Sequence, residues 1–441
     1  MSWPVMAEQV TRTLMRTVDV FITASFNPAA VVAIGLAELY AQFPLRIGLG
    51  LGGGAIALSS QDTGRGTDAG RDETITQALL LGVLLGIPIA VVAVVFGEDL
   101  IAVLGASEQV VVLGGTYLAI TLATAPARHV MLIGARALQG TGDTRTPMYV
   151  NIFANLLNVV GSLVLGLGLF GAPELRVIGV GLATAGANVV SAALFFAALA
   201  GPWSEAGLVR PRNPVIARQL VRVGVPRTAE GFSVALARFP FNALLLTFGT
   251  DVNAGFQIGR RIYQQITAPA SRGYNVASSI VVGQALGRDD PDSARFGGWG
   301  IAALGVVTVG AVGVGLFVAA EPLVRLFTTD PGAVRHSVGF VRAYGLAAIP
   351  QVLFLSLSGS LQGAGETRLP FVARAAGVFG LMLGFSYVAG AVLGFGALAA
   401  YTGVALSYVL MALVVGWGFA RSDWAARAAG MMAEREEEAT A

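Results

Sequence analysis

A ten-residue segment occurs twice in this chain, about half a chain length apart. It reads Leu-Gln-Gly-Thr-Gly-Asp-Thr-Arg-Thr-Pro at Leu138–Pro147 and Leu-Gln-Gly-Ala-Gly-Glu-Thr-Arg-Leu-Pro at Leu361–Pro370. Other polar residues recur at nearly the same spacing, for example Arg16 and Arg238. Because the matches lie near both ends of each half, they indicate that the chain consists of two copies of one structural unit.

Each copy is built from long apolar runs. Of the 441 residues, 55% are hydrophobic and only 12% are charged, and the mean hydropathy is +0.72. A soluble domain carries about 25% charged residues, so we expect this chain to lie in a lipid bilayer. Twelve runs approach the ~20 residues that a spanning helix needs. They fall at about 5–25, 30–58, 76–96, 110–138, 148–170, 178–200, 223–248, 254–285, 299–320, 334–362, 370–390 and 396–420.

These runs predict an all-α membrane protein with twelve transmembrane helices in two six-helix bundles. An even number of spans separates the copies, so both have the same orientation and form a parallel repeat. The predicted boundaries are an N-terminal lobe at 1–203, a cytoplasmic linker at 204–219, a C-terminal lobe at 220–420 and a cytoplasmic tail at 421–441. Within the tail, the acidic run Glu434–Glu438 is expected to be a frayed, solvated end.

The positive charges orient the chain. All 28 basic residues are Arg, and most of those between spans lie in every second connection, as at Arg145 and Arg368. By the positive-inside rule both termini face the cytoplasm of a multi-pass cell-membrane protein. A net charge of +2 gives no indication of a nucleic-acid partner, and the absence of Cys excludes disulfides and cysteine metal sites.

The repeated segment is predicted to be a polar connection between two helices. Gly140 and Gly142 suit the end of the first helix, and Asp143 and Thr144 can cap the amides that open the next. Glu366 repeats this role in the second copy. The connection can be purely structural or can take part in gating, and the sequence leaves both open.

One acid within the spans is singled out by the repeat. A charge at mid-bilayer costs ~2.5–3.5 kcal/mol on insertion scales, so it needs a partner or a function. Glu8, Arg12, Arg16 and Asp19 form one stripe of the first span, yet the counterpart of Asp19 in the second copy is Phe241. Asp19 is therefore the candidate site for a coupling ion or proton. The alternative is a structural ion pair between Asp19 and an Arg of the same stripe.

The fifth span carries a second polar stripe. Asn151, Asn155, Asn158 and Ser162 follow one helical face, and their side chains can coordinate a cation or join helices by hydrogen bonds. Thr184 in the sixth span can face them. The candidates for cation or proton coupling are Asp19, Asn158, Thr184 and Ser162. The candidates that line or support a substrate cavity are Glu8, Arg16, Glu38, Asn155, Glu230, Arg238 and Gln264.

Taken together, these motifs resemble the multidrug and toxic compound extrusion (MATE) family. The resemblance rests on the two repeated segments, on Val18–Asp19, on Asn155-x-x-Asn158 and on Val282–Gly287. It implies two six-helix lobes around a V-shaped central cavity, and antiport of organic cations against H⁺ or Na⁺. It also implies that Asp19, Asn158 and Thr184 lie in the cation site of the N-terminal lobe. The chain departs from the family at Ser162, where many members have Asp, and in its tenth span, which lacks an acid.

We therefore expect a monomeric secondary transporter for small amphiphilic, cationic molecules, without a cofactor or metal other than the coupling ion, and not an enzyme. The absence of the second acids weakens a Na⁺ site and favours H⁺ carried by Asp19. The alternative is a flippase of the same superfamily for a lipid-linked precursor or another amphiphile. A lipid-facing groove lined by Arg would favour that alternative.

Overall fold

The protein is described by a computed structural model, which covers residues 11, 14–15, 17–19, 21–201 and 204–440. Within these residues the secondary structure is entirely helical. The chain divides into two compact units. The N-terminal unit holds the described residues up to Thr63, then Thr67–Gly224 and the chain from Glu434 onward, and the C-terminal unit holds Gly64–Gly66 and Val225–Ala433.

The described residues between 11 and 24 are helical and precede six longer helices in the first half of the chain. These are α1 (Pro28–Arg65), α2 (Asp68–Ala102), α3 (Glu108–Ala123), α4 (Ala125–Gly140), α5 (Arg145–Gly161) and α6 (Arg176–Ala200). A π-helical segment, Ser162–Gly166, continues α5, and a single 3₁₀ turn follows at Leu169–Gly171.

The second half of the chain contains eight further helices. These are α7 (Pro214–Phe248), α8 (Thr250–Gly287), α9 (Pro291–Val318), α10 (Ala320–Arg325), α11 (Pro331–Gly363), α12 (Arg368–Ala375), α13 (Ala397–Arg421) and α14 (Trp424–Thr440). A long π-helical segment, Ala376–Val392, continues α12. The helix α7 begins at Pro214, so the last six residues of the predicted linker 204–219 are helical.

In the described part of the chain, nine helices are long and apolar enough to cross a membrane, or ten when α3 and α4 count as one span. The protein is therefore a multi-pass membrane protein. The span predicted at about 110–138 is not one continuous helix, because α3 and α4 meet at Thr124 with a bend of 50°. Pro126 explains the break, since its ring lacks an amide donor and clashes with the preceding turn.

Each unit has its own apolar core. In the N-terminal unit, buried side chains such as Ile101 and Leu118 join α1, α2 and α3. In the C-terminal unit, Phe354 and Phe419 belong to a larger cluster that joins α7, α8, α9, α11, α12, α13 and α14. Since no water is available inside a bilayer, the helices satisfy their own backbone groups while these cores hold them together.

The repeated connection is built the same way in both copies. Gly142 and Gly365 take positive φ values of 98° and 78°, which favour glycine. Asp143 Oδ1 accepts hydrogen bonds of 3.0 Å from the amides of Arg145 and Thr146. Glu366 Oε1 likewise accepts from the amides of residues 368 and 369, at 3.0 and 3.3 Å. The predicted capping by Asp143 and Glu366 is confirmed, whereas the side chain of Thr144 makes no cap bond.

Close helix packing explains the glycine that precedes each connection. A Cβ atom at Gly140 would lie 1.9 Å from Ser59 Oγ, and one at Gly363 would lie 2.3 Å from the carbonyl oxygen of Ser279. Both distances are shorter than any atomic contact allows. Within each unit, the missing side chain lets two helix backbones approach at the repeated segment.

The predicted frayed tail is wrong, because the chain from Trp424 to Thr440 is a helix. Its Trp424 is fully buried, stacks on Phe419 at 4.9 Å between ring centroids and donates from Nε1 to the Phe419 carbonyl at 2.8 Å. Further along, Arg435 is 5% exposed and belongs to the N-terminal unit. Buried contacts of this kind, which the local sequence does not reveal, hold the acidic end in a helix.

Candidate functional site

The residues predicted for cation or proton coupling come together in the N-terminal unit. Ser162 is fully buried, and its Oγ donates to Asp19 Oδ1 at 3.1 Å. Asp19 itself is partly buried in the N-terminal helical stretch. The two residues are 143 positions apart in sequence, so their contact is a product of helix packing.

Asn158 connects this carboxylate to Thr184. With the amide oriented to satisfy both neighbours, Nδ2 lies 3.3 Å from each carboxylate oxygen of Asp19, and Oδ1 accepts from Thr184 Oγ1 at 3.0 Å. Asn158 is 2% exposed, so water has almost no access to its amide and does not replace these partners. Asp19, Ser162, Asn158 and Thr184 thus form one hydrogen-bonded group, which we call the Asp19 cluster.

The backbone at the cluster departs from α-helical geometry. The segment Ser162–Gly166 has π-helical hydrogen bonding and begins at the residue that donates to Asp19. Such π-bulges are rare and are found frequently at functional sites. At its far end, a Cβ on Gly179 of α6 would lie 2.2 Å from the Leu165 carbonyl oxygen, so the two helix backbones approach closely here.

Sequence analysis missed one member of this region. Tyr117 on α3 lies close to Thr184 and within electrostatic range of Asp19, Glu38 and Arg128. It lies beside Thr116 in a largely apolar helix, and no spacing rule connects it to the first or sixth span. The available signal was weak: a Tyr within a predicted span needs a polar neighbour when it is buried.

The rest of the polar stripe on α5 lies on the same helix face. Asn151 is 3% exposed, and its Nδ2 has no hydrogen-bond partner in the part of the chain that the structure describes. Asn155 Nδ2 lies 3.5 Å from Thr11 Oγ1 in the N-terminal helical stretch. The Asn155 contact and the Asn151 donor are each compatible with binding of a ligand or with helix packing.

The other predicted support residues are distributed over the two units. Glu38 is exposed on α1, and Gln264 is partly buried on α8. Arg238 lies on α7, where its carbonyl accepts from Asn242 Nδ2 at 2.8 Å. Glu8 and Arg16 lie outside the described residues.

Glu230 is held by two arginines in the C-terminal unit. Its carboxylate is 2.5 Å from Arg227 Nη1 and 3.2 Å from Arg374 Nε, and the residue is 4% exposed. Arg374 also lies over the Phe354 ring, 4.4 Å from the centroid. A carboxylate surrounded by two guanidinium groups is already neutralised, so Glu230 stabilises the unit and is a poor ligand for a cation.

The Asp19 cluster brings together oxygen atoms of the types that bind cations. They comprise one carboxylate, one amide and two hydroxyl groups, which are ligands that hard cations accept. Among the described residues no group of three or more His, Cys, Asp or Glu side chains could hold a transition metal. Of the two His residues, His129 is buried between the carbonyl oxygens of Gly82 and Pro44.

Comparison with known proteins gives a consistent assignment. The MatE family model matches residues 4–164 and 226–388. The probable multidrug resistance protein NorM of Rhodopseudomonas palustris (strain ATCC BAA-98 / CGA009) is 28% identical over 446 residues, covering 98% of this chain and 93% of that protein. NorM of Bradyrhizobium diazoefficiens, also described as a probable multidrug resistance protein, is 28% identical over 93% of this chain and 90% of its own.

A solved structure shares the fold. The crystal structure of a MATE protein in complex with MaD3S has a TM-score of 0.88 and 20% sequence identity, and the match covers 98% of this chain and 95% of that one. The family model covers well over half of the sequence, in two segments that begin 222 residues apart. The chain therefore belongs to the MATE family of membrane transporters.

Proposed function

We propose that the protein exports small amphiphilic molecules across the cell membrane in exchange for H⁺, and that Asp19 carries the proton. The observation that supports this most directly is the Asp19 cluster, where a carboxylate meets hydrogen-bonding side chains beside a π-helical segment. Relatives of similar length are described as probable multidrug resistance proteins, which favours drugs or drug-like amphiphiles as substrates.

The geometry suggests how a proton could alter the unit. The ionised Asp19 accepts from Ser162 Oγ and from Asn158 Nδ2. Protonation turns one of its oxygens into a donor, and a donor cannot face the N–H of Asn158 without losing a hydrogen bond. The protonated oxygen no longer accepts from Asn158, and the π-helical start at Ser162 is the adjacent backbone that could change register in response.

The composition of the cluster favours H⁺ over Na⁺ as the coupling ion. A hard cation is bound best by several oxygens that carry more than one negative charge between them. The Asp19 cluster contributes a single carboxylate, and Ser162 occupies a position where many family members have a second one. Glu230 does not replace it, because two arginines neutralise that residue.

The same proposal includes the architecture expected from the sequence. Among the described residues, ten candidate spans are found by length and apolar composition when α3 and α4 count as one. The helical stretch around Asp19 and the 38-residue α8 would bring the number to twelve. α8 is about 57 Å long at 1.5 Å per residue, but its arginines make it too polar to be recognised by composition. By the positive-inside rule, the Arg-rich connections favour cytoplasmic termini, and the proposal takes a single chain as the transporting unit.

Transport of the fluorescent cation ethidium across the membrane of proteoliposomes tests the proposal. A pH gradient and a Na⁺ gradient are imposed in separate experiments. We expect ΔpH alone to drive ethidium movement, and Asp19→Asn to abolish it while ethidium binding to the purified protein persists. Glu174→Gln is the matched control, because Glu174 is 52% exposed and pairs with Arg176 outside the cluster. Full ΔpH-driven transport by Asp19→Asn would show that Asp19 does not carry the proton.

A further inference from the structure

We propose that the C-terminal unit contains a binding site for an acidic group of the transported molecule, formed by Arg238 and Arg260. The site would extend the substrates from cations to amphiphiles that carry a carboxylate. This inference rests on the proposed export function and specifies its substrate class.

The two arginines lie at the same depth on neighbouring helices. Arg238 is ten residues before the end of α7 at Phe248, and Arg260 is ten residues after the start of α8 at Thr250. Only Gly249 separates the two helices, so both side chains are about 15 Å from the turn at 1.5 Å per residue. They lie close enough for their charges to repel each other.

A chain of amide side chains joins these two helices. Gln257 Nε2 donates to Asn242 Oδ1 at 2.8 Å, and Asn253 Nδ2 donates to the same oxygen at 3.1 Å. Arg260 Nη2 in turn donates to Gln257 Oε1 at 2.9 Å. Residues 253, 257, 260 and 264 follow the i, i+4, i+7, i+11 spacing, so they form one polar face of α8.

Arg260 is not fully satisfied by these contacts. Its Nε is buried and has no hydrogen-bond partner among the described residues. No carboxylate in the described chain lies within ion-pair distance of Arg260 or Arg238, and the nearby acid Glu230 is engaged by Arg227 and Arg374. The unit therefore holds positive charge in excess at this point.

Such an excess is costly within a membrane. A guanidinium group within the bilayer carries a large desolvation cost, and a second like charge nearby adds to that cost. An acidic group supplied from outside the chain would remove both penalties. Arginine presents a planar set of donors that matches the two oxygens of a carboxylate, which is the geometry expected for recognition of this group.

A stacked pair of tyrosines lies next to the arginines. The rings of Tyr263 and Tyr344 stack with centroids 4.6 Å apart, and Tyr344 is within electrostatic range of both Arg238 and Arg260. Tyr408 and Gln351 fix the Tyr263 hydroxyl, at 3.2 and 2.6 Å. Tyr344 is 5% exposed and Tyr263 is partly buried, so Tyr263 is the ring of this pair that an aromatic carboxylate bound at the arginines could contact. A phospholipid could also offer an anionic group, but its acyl chains do not need a stacked aromatic pair.

Binding of 1-pyrenebutyrate to the purified protein tests the site, with fluorescence as the readout. We expect saturable binding that Arg238→Gln and Arg260→Gln each weaken about tenfold or more, as for loss of a charge-assisted hydrogen bond. The lysine variants at the same positions should keep part of the affinity because they keep the charge. Arg325→Gln is the control, since Arg325 is 58% exposed and pairs with Glu321. The methyl ester of pyrenebutyrate should not bind.

The possible results separate this inference from the proposed function. Unchanged affinity in both glutamine variants, or equal binding of the ester, would overturn the acidic-group site even when ethidium transport succeeds. Loss of pyrenebutyrate affinity in these variants would support the site even when no gradient drives ethidium. Nanodiscs of phosphatidylglycerol and phosphatidylcholine distinguish the source of the anion. Displacement of the probe by phosphatidylglycerol alone would show that the site holds a lipid headgroup, which contradicts the proposal.

Discussion

Replacement of Arg435 by Ala is expected to release the end of α14 in the N-terminal unit. Arg435 Nη2 lies 2.9 Å from Asp62 Oδ1 and 3.1 Å from Gln61 Oε1, and Nη1 lies 2.7 Å from Gln219 Oε1. The side chains of Arg435 and Asp62 are 6% and 5% exposed. The ion pair is therefore buried and has well-formed hydrogen bonds on both sides.

The magnitude follows from what the substitution leaves behind. Thr74 Oγ1 still donates to Asp62 at 2.9 Å, but the carboxylate loses its buried positive partner. Removal of one member of a buried ion pair costs about 3–5 kcal/mol, most of it for the uncompensated charge. Since 1.4 kcal/mol is a factor of ten, local opening of α14 should become roughly a hundred to several thousand times more frequent, up to the limit set by global unfolding.

Hydrogen–deuterium exchange of the C-terminal peptide measures this opening directly. Glu437→Ala is the control, because Glu437 is exposed on the same helix. Joint replacement of Arg435 and Asp62 by Leu should recover much of the protection, since it leaves no buried charge. Exchange in Arg435→Ala that equals exchange in the Glu437→Ala control would refute the view that the ion pair holds the helix.

Three further predictions concern the helix ends and the close helix contact. Gly363→Ala places a Cβ 2.3 Å from a backbone carbonyl and should cost about 1–3 kcal/mol, whereas Gly300→Ala meets no atom within 4 Å and should raise the melting temperature in detergent. Asp143→Ala removes the cap of α5 and should cost about 0.5–2 kcal/mol, measured as faster amide exchange in its first turn. Hydrogen bonds from Ser293 hold the pKa of Asp290 below its ordinary value, so this cap stabilises α9 above that ordinary pKa and the stabilisation is lost as the pH falls through the lower one. Asp290→Ser should abolish this pH dependence in the amide exchange of α9, and an unchanged pH profile would contradict the assignment.

Much of the Asp19 cluster could be predicted from the sequence. Asn158 and Ser162 share one face of a helix, and helical spacing alone places them together. The lack of an acid opposite Asp19 in the second copy directed attention to that residue. Tyr117 could not be predicted in the same way, because its contact with Thr184 joins two helices whose register is set only by packing.

Glu230 shows the same difference between what the sequence predicts and what helix packing decides. Sequence analysis placed Glu230 among the residues that line or support a cavity, but the sequence did not indicate which arginines would surround it. Arg227 is one helical turn away, whereas Arg374 is 144 residues distant and meets Glu230 only after α7 and α12 pack. The acidic tail is a stronger case, because its sequence resembles a solvated end, whereas buried contacts such as those of Arg435 with Asp62 and Gln219 hold it in place.

The sequence by itself determined the membrane environment, the duplication and the helix connections. These depend on composition and on short-range geometry: apolar length, a glycine at positive φ and a carboxylate beside free amides. The tertiary structure alone decided which charges are neutralised and which are not. Glu230 and Asp62 each acquire an arginine from a distant helix, while Arg238 and Arg260 acquire no acid in the described chain. The reason is physical, since a charge in a low-dielectric interior is governed by neighbours within a few ångströms, and packing brings those neighbours from anywhere in the chain.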